Sequence, residues 1–252
     1  MSDEMQESSR SEASRRPRRA VFLISLMGMA LLLALMFYDS FVPGWVLFSN
    51  DSPAAHFFGR PDHLVEDLHG AWQPLYWVGN EEVSNRVTLS WLVGLFFGPL
   101  GNAKFFAPFA LLFLGGSAFV FFRQLRFHPM VCALGGVAAF LNMNAFSNAC
   151  WGLAPWVLAR AMVFLALAAL VAPGIRQAWM RYALAGFAIG VAVMEGFDLG
   201  AIFSVFLGVG ALAIYWLSTD GPAGERVGRG LGWTGVMTIC AALVAGQGVV
   251  TL

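Results

Sequence analysis

Residues 182–217 read YALAGFAIGVAVMEGFDLGAIFSVFLGVGALAIYWL. This stretch is almost wholly apolar except near its middle, where Glu195 and Asp198 lie three residues apart. A single helix through it would bury two carboxylates at the centre of a bilayer, where charged groups are expensive. Gly196, between them, supplies the backbone freedom that a tight turn needs. The stretch therefore predicts two antiparallel membrane helices that meet at a polar turn.

The same alternation of long apolar runs and short polar joints extends over the 252-residue chain. Apolar residues make up 58% and charged residues 12% of it, so lipid must solvate much of the surface. The formal net charge is zero, and no nucleic-acid partner is expected. Cys132, Cys150 and Cys240 lack CxxC spacing, and two of them lie inside apolar runs. Their placement argues against a disulfide framework or a zinc site.

The amino-terminal part consists of a polar tail and an apolar anchor. Residues 1–19 end in SRRPRR and predict a disordered tail. Residues 20–38 are almost uninterrupted in their apolar character and long enough to span a bilayer. A cleaved signal peptide is the alternative, but the run is long and no A-x-A-like site follows it. We expect an uncleaved first transmembrane helix with the basic tail in the cytoplasm.

Residues 39–101 are expected to form a long outer loop with interfacial helices. The part from 39 to 87 is rich in aromatic side chains, histidines and carboxylates, and prolines divide it into short pieces. A loop of this length is usually functional or contains secondary structure of its own. The apolar segment 88–101 is short for a full crossing. We interpret it as an interfacial or re-entrant helix, because a full crossing would place the next two basic joints outside.

The remaining runs predict a transmembrane bundle over 102–252, so the fold class is all-α, a multi-pass helical bundle with about seven crossings. With the first helix, the expected crossings are 20–38, 103–122, 130–146, 153–172, 182–194, 199–217 and 231–250. This assignment leaves only Arg60, Arg86 and Lys104 as basic residues on the outer side of the membrane, as the positive-inside tendency favours. The chain stops directly after an apolar run, as a fragment or a partner-dependent subunit would.

Arg160 is the strongest single candidate for a functional residue. It lies about 10 Å below the outer start of the helix over 153–172, at about 1.5 Å per residue. An intramembrane arginine by default faces the bundle interior, a carboxylate or an anionic ligand. Its planar guanidinium suits bidentate binding of phosphate. Two structural interpretations compete with this one: the side chain snorkels to the interface, or it pairs with a carboxylate such as Glu195.

Two further motifs are expected on the outer side. One is FSNDSP over 48–53, and the other is NMNAFSNACWG over 142–152, just before the helix that carries Arg160. Asparagines at such places commonly cap helices and turns. A carboxylate at a membrane face can instead act as a general base or a metal ligand. The sequence contains no GxSxG, no HExxH and no glycine-rich phosphate loop, and no metal site is assigned.

Four features follow one another along the chain. They are an anchored first helix, a long outer loop that opens with Ser49-Asn50-Asp51, the joint FRQLR over 122–126, and a small-residue helix around 133–139. Over most of residues 20–250 this layout resembles the amino-terminal part of the YfhO-like bacterial membrane proteins of the glycosyltransferase C superfamily. The chain is shorter than such proteins usually are, and Asn50-Asp51 stands in place of their paired acidic motif.

The resemblance implies transfer of a sugar from a polyprenyl-phosphate donor on the outer face of the bacterial inner membrane. It implies that Asp51 is the catalytic base, with Asn50 beside it. Arg160, by its depth, would meet the lipid phosphate. Glu195 and Asp198 would either line the same substrate-binding cavity or form a plain solvated turn.

Other functions stay open. The main alternative is a non-catalytic membrane subunit or a lipid-binding module of a larger complex, whose partners would be membrane lipid and other membrane subunits. A transporter is less favoured, because no inverted repeat is visible and few polar residues lie at the helix centres. The cofactor, the sugar and the acceptor are left unassigned.

Overall fold

The computed structural model describes residues 20–47, 71–73, 80–82, 88–175 and 177–250. Within these ranges the chain forms nine helices and one pair of short strands. The helices are α1 (Ala20–Met36), α2 (Tyr38–Phe41), α3 (Leu89–Gln124), α4 (Pro129–Leu141), α5 (Met143–Cys150), α6 (Ala154–Leu170), α7 (Ala178–Glu195), α8 (Phe197–Ser218) and α9 (Ala223–Val250). The strands β1 (Ala71–Gln73) and β2 (Asn80–Glu82) pair in antiparallel fashion.

Helix α3 is sharply bent. Gly98 has φ 66° and ψ 178°, a conformation that favours glycine, and Pro99 follows it without a backbone N–H to donate. The bend divides α3 into a first arm, residues 89–97, and a second arm, residues 99–124. The sequence predicts a separate interfacial helix over 88–101, and the structure has a helical arm that ends at Gly98, three residues earlier. Its position at a membrane interface stays a prediction.

The first arm of α3 folds back along the second. The ring of Phe97 lies 5.7 Å from that of Phe105 and 6.5 Å from that of Phe109, measured between centroids. Phe109 in turn stacks on Phe113 at 6.2 Å. These contacts place the end of the first arm beside residues 105–109 of the second.

Helices α4 and α5 meet at Asn142 with a bend of 50°. Asn142 leaves the helical region with φ −53° and ψ 125°, and its Oδ1 accepts the N–H groups of Asn144 and Ala145 at 3.1 and 3.4 Å. Asparagine is favoured at such a position because its side chain replaces the missing backbone acceptor. The crossing predicted over 130–146 therefore contains a break.

Helices α7 and α8 are separated by Gly196 alone, with φ −150° and ψ 90°. The return is tight: a Cβ on Gly200 would lie 2.5 Å from the carbonyl oxygen of Ala192. The helix break that the sequence predicts at the Glu195–Asp198 turn is confirmed.

Two apolar cores lie on either side of α6. The first joins α6 to α1, α3, α4 and α5, and it includes Leu33, Leu111, Phe140 and Leu158. The second joins α6 to α7, α8 and α9, and it includes Met162, Tyr182, Ile189 and Met237. Because α6 belongs to both cores, neighbouring helices constrain its side chains on several sides.

Helices α7 and α9 approach each other at two glycines. A Cβ on Gly186 would lie 2.2 Å from the carbonyl oxygen of Met237, and one on Gly190 would lie 2.6 Å from Cβ of Val244. Two small residues four positions apart let helix backbones come close together, as in membrane helix pairs. Only glycine fits this contact without a shift of the backbone.

Three of the helices, α3, α8 and α9, are long and apolar enough to cross a membrane, and the bent pair α4–α5 makes a fourth if it counts as one span. Helices α1 and α6 are apolar but shorter, with 17 residues each. The helical architecture of these described segments is that of an integral membrane protein. The seven crossings expected from the sequence stay a prediction.

Candidate functional site

The corner between α5 and α6 positions Arg160. The last turn of α5 closes with two hydrogen bonds, from Gly152 N–H to Ala149 O at 3.4 Å and from Leu153 N–H to Asn148 O at 2.8 Å. Gly152 has φ 93°, which completes a Schellman motif. Helix α6 then starts immediately, with Pro155 in its first turn. The chain reverses within a few residues, so α6 packs against α5.

This reversal brings Arg160 onto Asn144. The Nη2 group of Arg160 donates a hydrogen bond to Oδ1 of Asn144, and the same oxygen accepts Nδ2–H of Asn148 at 3.3 Å. A guanidinium can only donate, so the atom of Asn144 that faces it must be the amide oxygen. We call Asn144, Asn148 and Arg160 the amide–guanidinium cluster.

The partner of Arg160 among the described residues, Asn144, is neutral. Among the side chains that the structure describes, Arg229 and Glu225 form the only ion pair, at 3.3 Å. Arg160 is half-buried and keeps its positive charge without a carboxylate beside it in the described part of the chain. An arginine buried in this way is normally matched by a carboxylate or an anionic ligand.

The cluster has a defined hydrogen-bonding character. Arg160 has five N–H donors and no acceptor, and one donor is used by Asn144. The single side-chain oxygen of Asn144 already accepts two hydrogen bonds, which leaves its amide N–H groups. Arg160 and Asn144 therefore offer donors and a positive charge to any further group, a combination that suits the oxygens of an anion.

Glu195 is buried, with 7% of its surface exposed, and it pairs elsewhere. Its Oε1 accepts the backbone N–H of Ser90 at 3.0 Å, and its Oε2 accepts the Ser90 hydroxyl. Ser90 lies in the first turn of α3, where free backbone N–H groups and the helix dipole favour a carboxylate. Glu195 thus ties the first arm of α3 to the end of α7, and the structure does not pair it with Arg160.

The turn between α7 and α8 nevertheless packs against α6, on residues that come just before Arg160 in the sequence. A Cβ on Gly196 would lie 3.1 Å from Cδ1 of Trp156 and 3.5 Å from Cβ of Ala159. Asp198, in the first turn of α8, is exposed. The two carboxylates of the turn therefore differ, one as a buried hydrogen-bonded anchor and the other as a solvated side chain.

The structure does not test two of the candidates from the sequence. Asn50 and Asp51 lie outside the residues that the structure describes. Of the residues predicted for the site, the structure places Arg160 with Asn144, and it places Glu195 with Ser90. Within the same described ranges no group of three or more His, Cys, Asp or Glu side chains could hold a metal ion.

An apolar groove lies on the opposite side of α6. It encloses about 330 Å³ between the two arms of α3 and α6, and its lining is Leu89, Leu92, Val93, Phe96, Phe97, Phe109, Phe113 and Leu158. Leu158 and Arg160 are two positions apart, so their side chains leave α6 about 200° from each other. The groove and the amide–guanidinium cluster are therefore separate features.

Sequence reasoning missed two residues. Asn144 lies in the motif over 142–152, for which the sequence left helix capping and a functional role both open, and its spacing from Arg160 contained no signal of a contact across the α5–α6 corner. Ser90 lies 105 residues from Glu195, and nothing in the sequence linked the two.

Comparison with known proteins finds no matching family model, no similar curated protein and no similar solved structure.

Proposed function

We propose that this integral membrane protein binds the phosphate of a polyprenyl-phosphate sugar at Arg160 and transfers the sugar on the outer face of the membrane. One observation supports the phosphate site above all: Arg160 is half-buried beside a neutral amide, and the pair offers only donors and positive charge. A phosphate has only acceptors and negative charge, so it is the complement of this pair. The sugar and the lipid follow from the resemblance to YfhO-like proteins.

The proposed reaction divides its roles between two residues. The bond between the anomeric carbon and the phosphate oxygen breaks, and its electron pair leaves with the lipid phosphate. A hydroxyl oxygen of the acceptor forms the new bond to the anomeric carbon from the opposite face, and its proton passes to the Asp51 carboxylate. Arg160 neutralises the charge that develops on the leaving phosphate, an electrostatic contribution from a preorganised donor.

The proposed topology is a seven-crossing chain in the bacterial inner membrane with a cytoplasmic amino terminus. The crossings would be α1, the second arm of α3, the bent pair α4–α5, α6, α7, α8 and α9. Short connections support alternating directions, since Gly196 alone separates α7 from α8 and the corner at Gly152 separates α5 from α6. This topology places Arg160 within reach of the outer face.

The test is binding of a polyprenyl-phosphate sugar to the purified full-length protein in nanodiscs. We expect the Arg160→Ala variant to bind about tenfold or more weakly, because a charge-assisted hydrogen bond contributes about 1.5–3 kcal/mol. Arg229→Ala, which removes an exposed arginine from an ion pair at the start of α9, is the matched control and should bind like wild type. Equal binding by wild type and a folded Arg160→Ala variant would refute the phosphate site.

A second candidate function, a lipid-binding module without catalysis, is favoured by one observation. The described residues around Arg160 include donors but no carboxylate in contact with it, and Glu195 is already occupied by Ser90. These groups bind but cannot serve as a general base. A wild-type protein that binds the lipid-linked sugar but releases no free polyprenyl phosphate with any acceptor would establish this second function.

A further inference from the structure

The apolar groove between the two arms of α3 and α6 lies beside the middle of a candidate membrane span. Phe109 and Phe113 line it, and they come about 15 Å and about 21 Å after Pro99 along the second arm, at about 1.5 Å per residue. The whole second arm, over 99–124, is about 39 Å long, enough to cross a hydrocarbon core of about 30 Å. At this depth the groove faces hydrocarbon and not water.

The groove has a closed base and an open rim. Val93 and Leu158 are buried and form the base. Leu92, Phe96 and Phe109 also line the groove but are exposed, and Phe96 has 85% of its surface free. A hydrocarbon chain in the groove would contact protein on several sides, whereas a chain beside a flat helix contacts it on one. Because dispersion attraction is summed over many atom pairs, the concave surface holds a chain more strongly.

We propose that this groove binds one fatty-acyl chain of a membrane phospholipid and that Glu195 positions one of its walls. Apolar cavities of roughly 150 Å³ bind benzene, so the 330 Å³ of the groove accommodates a segment of about a dozen carbon atoms. The bilayer surrounds the open rim with acyl chains, and the lining contains only leucine, valine and phenylalanine. This inference does not rest on the proposed function, because the groove and the amide–guanidinium cluster are separate features.

The first arm of α3 forms one wall of the groove, and both ends of this arm are fixed. At one end, Gly98 with φ 66° and Pro99 set the bend into the second arm. At the other end, Glu195 accepts the backbone N–H of Ser90 at 3.0 Å and also the Ser90 hydroxyl. Between these two points the arm contributes apolar side chains to the groove. The width of the groove therefore depends on both fixed ends.

The start of the first arm would be costly in hydrocarbon without polar partners. The first backbone N–H groups of a helix have no acceptor within the helix, and lipid supplies none. Oγ1 of Thr88 accepts the N–H of Trp91 at 3.0 Å, and Glu195 accepts the N–H of Ser90. Glu195 thus allows the arm to begin inside the membrane, beside the groove that it encloses.

The experiment is photo-crosslinking of the full-length protein, freed of bound lipid, in micelles of a sterol-based detergent without an alkyl chain. The probe is a phosphatidylethanolamine with a diazirine on one acyl chain, added in increasing amounts. In wild type we expect the labelling of Phe109 and Phe113 to saturate, because one chain fills the groove. Labelling of Phe206, which is exposed on α8, should rise in proportion to the probe. Proportional labelling of the groove as well would overturn the proposal.

A matched pair of tryptophan substitutions tests the groove itself. Leu92→Trp places a larger side chain in the groove and should lower the labelling of Phe109 and Phe113 about threefold or more, because the indole takes over contacts of the chain. Leu95→Trp is the control, since Leu95 is exposed on the same arm but is not part of the lining. It should be labelled like wild type. Equal labelling of the two folded variants would refute the acyl-chain site.

Two substitutions of Glu195 test its positioning role. Glu195→Ala removes both acceptors and releases the first arm, so we expect groove labelling to fall about threefold or more while the labelling of Phe206 stays unchanged. Glu195→Gln keeps an oxygen for the Ser90 N–H and offers an amide N–H to the hydroxyl oxygen, so it should restore the labelling. Wild-type labelling of Glu195→Ala, or an equal loss in both variants, would remove Glu195 from this role.

The tail of a polyprenyl phosphate is the competing occupant. Unlabelled phosphatidylethanolamine should reduce groove labelling at least as strongly as an equal amount of bare polyprenyl phosphate. Stronger competition by polyprenyl phosphate would overturn the acyl-chain assignment and give the groove to the isoprenoid tail. Unchanged polyprenyl-phosphate binding in Arg160→Ala, by contrast, refutes the proposed function, and the expected saturation and competition would then still support the acyl-chain site.

Discussion

At the scale of single residues, the identity of Arg160's partner determines how its charge is used. A carboxylate in the place of Asn144 would have neutralised the guanidinium and made the contact structural. Asn144 instead accepts a hydrogen bond without adding charge, so Arg160 is oriented and still positive. The helix break at Asn142 turns Asn144 toward α6, because a new helix with its own direction begins at Met143.

Asn144→Asp tests this distinction directly. The new carboxylate would form a charge-assisted hydrogen bond with Arg160, so we expect the melting temperature in detergent to stay equal or to rise by about 2–4 °C for each kcal/mol gained. Binding of polyprenyl phosphate should fall about tenfold or more, because the positive charge is then compensated. Asn144→Ala is the companion variant, since it removes the acceptor and keeps the charge.

In Asn144→Asp, the melting temperature and the affinity for polyprenyl phosphate change in opposite directions only if Arg160 binds an anion. If Arg160 has a purely structural role, Asn144→Asp should preserve or increase stability while lipid binding stays at the wild-type level. That outcome would remove the phosphate from the amide–guanidinium cluster.

Glu195 shows the opposite use of a buried polar residue. Its two oxygens both accept hydrogen bonds from Ser90, at the N-terminal turn of α3. A carboxylate at this end of a helix satisfies free N–H groups and interacts favourably with the dipole. Glu195 therefore holds the first arm of α3 against the turn between α7 and α8, and the sequence's assignment of this residue to substrate binding stays a prediction.

At the scale of the elements, the arrangement of the helices depends on a few glycines. Gly98 permits the bend in α3, Gly152 ends α5, and Gly186 with Gly190 allows α7 to approach α9. The first two are needed for their positive φ angles, where a side chain would be strained. The other two are needed for space, since a Cβ at either would meet α9 at less than 3 Å.

Gly186→Leu tests the close approach of α7 and α9. The Cβ alone would lie 2.2 Å from Met237 O, so the two helices must separate, and we expect a loss of stability of about 1–3 kcal/mol. Thermal unfolding in detergent measures it. Gly208→Leu in α8 is the control, because a Cβ there meets nothing within 4 Å. Equal effects of the two substitutions would show that the α7–α9 contact does not exist in solution.

At the scale of the whole molecule, the central helix α6 explains how the candidate site is supported. Its two apolar cores fix it from several sides, so Arg160 is presented by the most constrained helix in the described part of the chain. A charged group held on a rigid element loses little conformational freedom on binding a ligand. The site residues come from α5 and α6, and the remaining helices position them.

The proposed topology makes a prediction about accessibility. Single cysteines would replace Asp198 and Asp220, both exposed, in a chain whose Cys132, Cys150 and Cys240 are changed to serine. A membrane-impermeant maleimide should label Asp198→Cys in intact spheroplasts and label Asp220→Cys only after permeabilisation. The reverse pattern, or equal labelling of both from one side, would contradict the proposed orientation of α8.

Much of the fold was open to prediction from local patterns. The break at Gly196 follows from two carboxylates in an apolar run. The short apolar segment over 88–101 predicts a helix separate from the next crossing, but the bend comes at Gly98, before the predicted end. In each case the residues that predict the end of a helix lie within a few positions of it in the sequence. Such local features are governed by chain stereochemistry and by the cost of burying charge. The break at Asn142 was missed, because asparagine in a helix is only weakly unfavourable unless its side chain finds local backbone donors.

By itself the sequence determined the class of the protein, a helical chain with apolar surfaces, and it singled out Arg160, since an apolar run tolerates an arginine only where a partner or ligand meets it. Tertiary structure alone decided the partners: Asn144 for Arg160, and Ser90, 105 residues away, for Glu195. The physical reason is that apolar periodicity specifies which residues form a helix, whereas the packing of one helix on another specifies which polar groups meet.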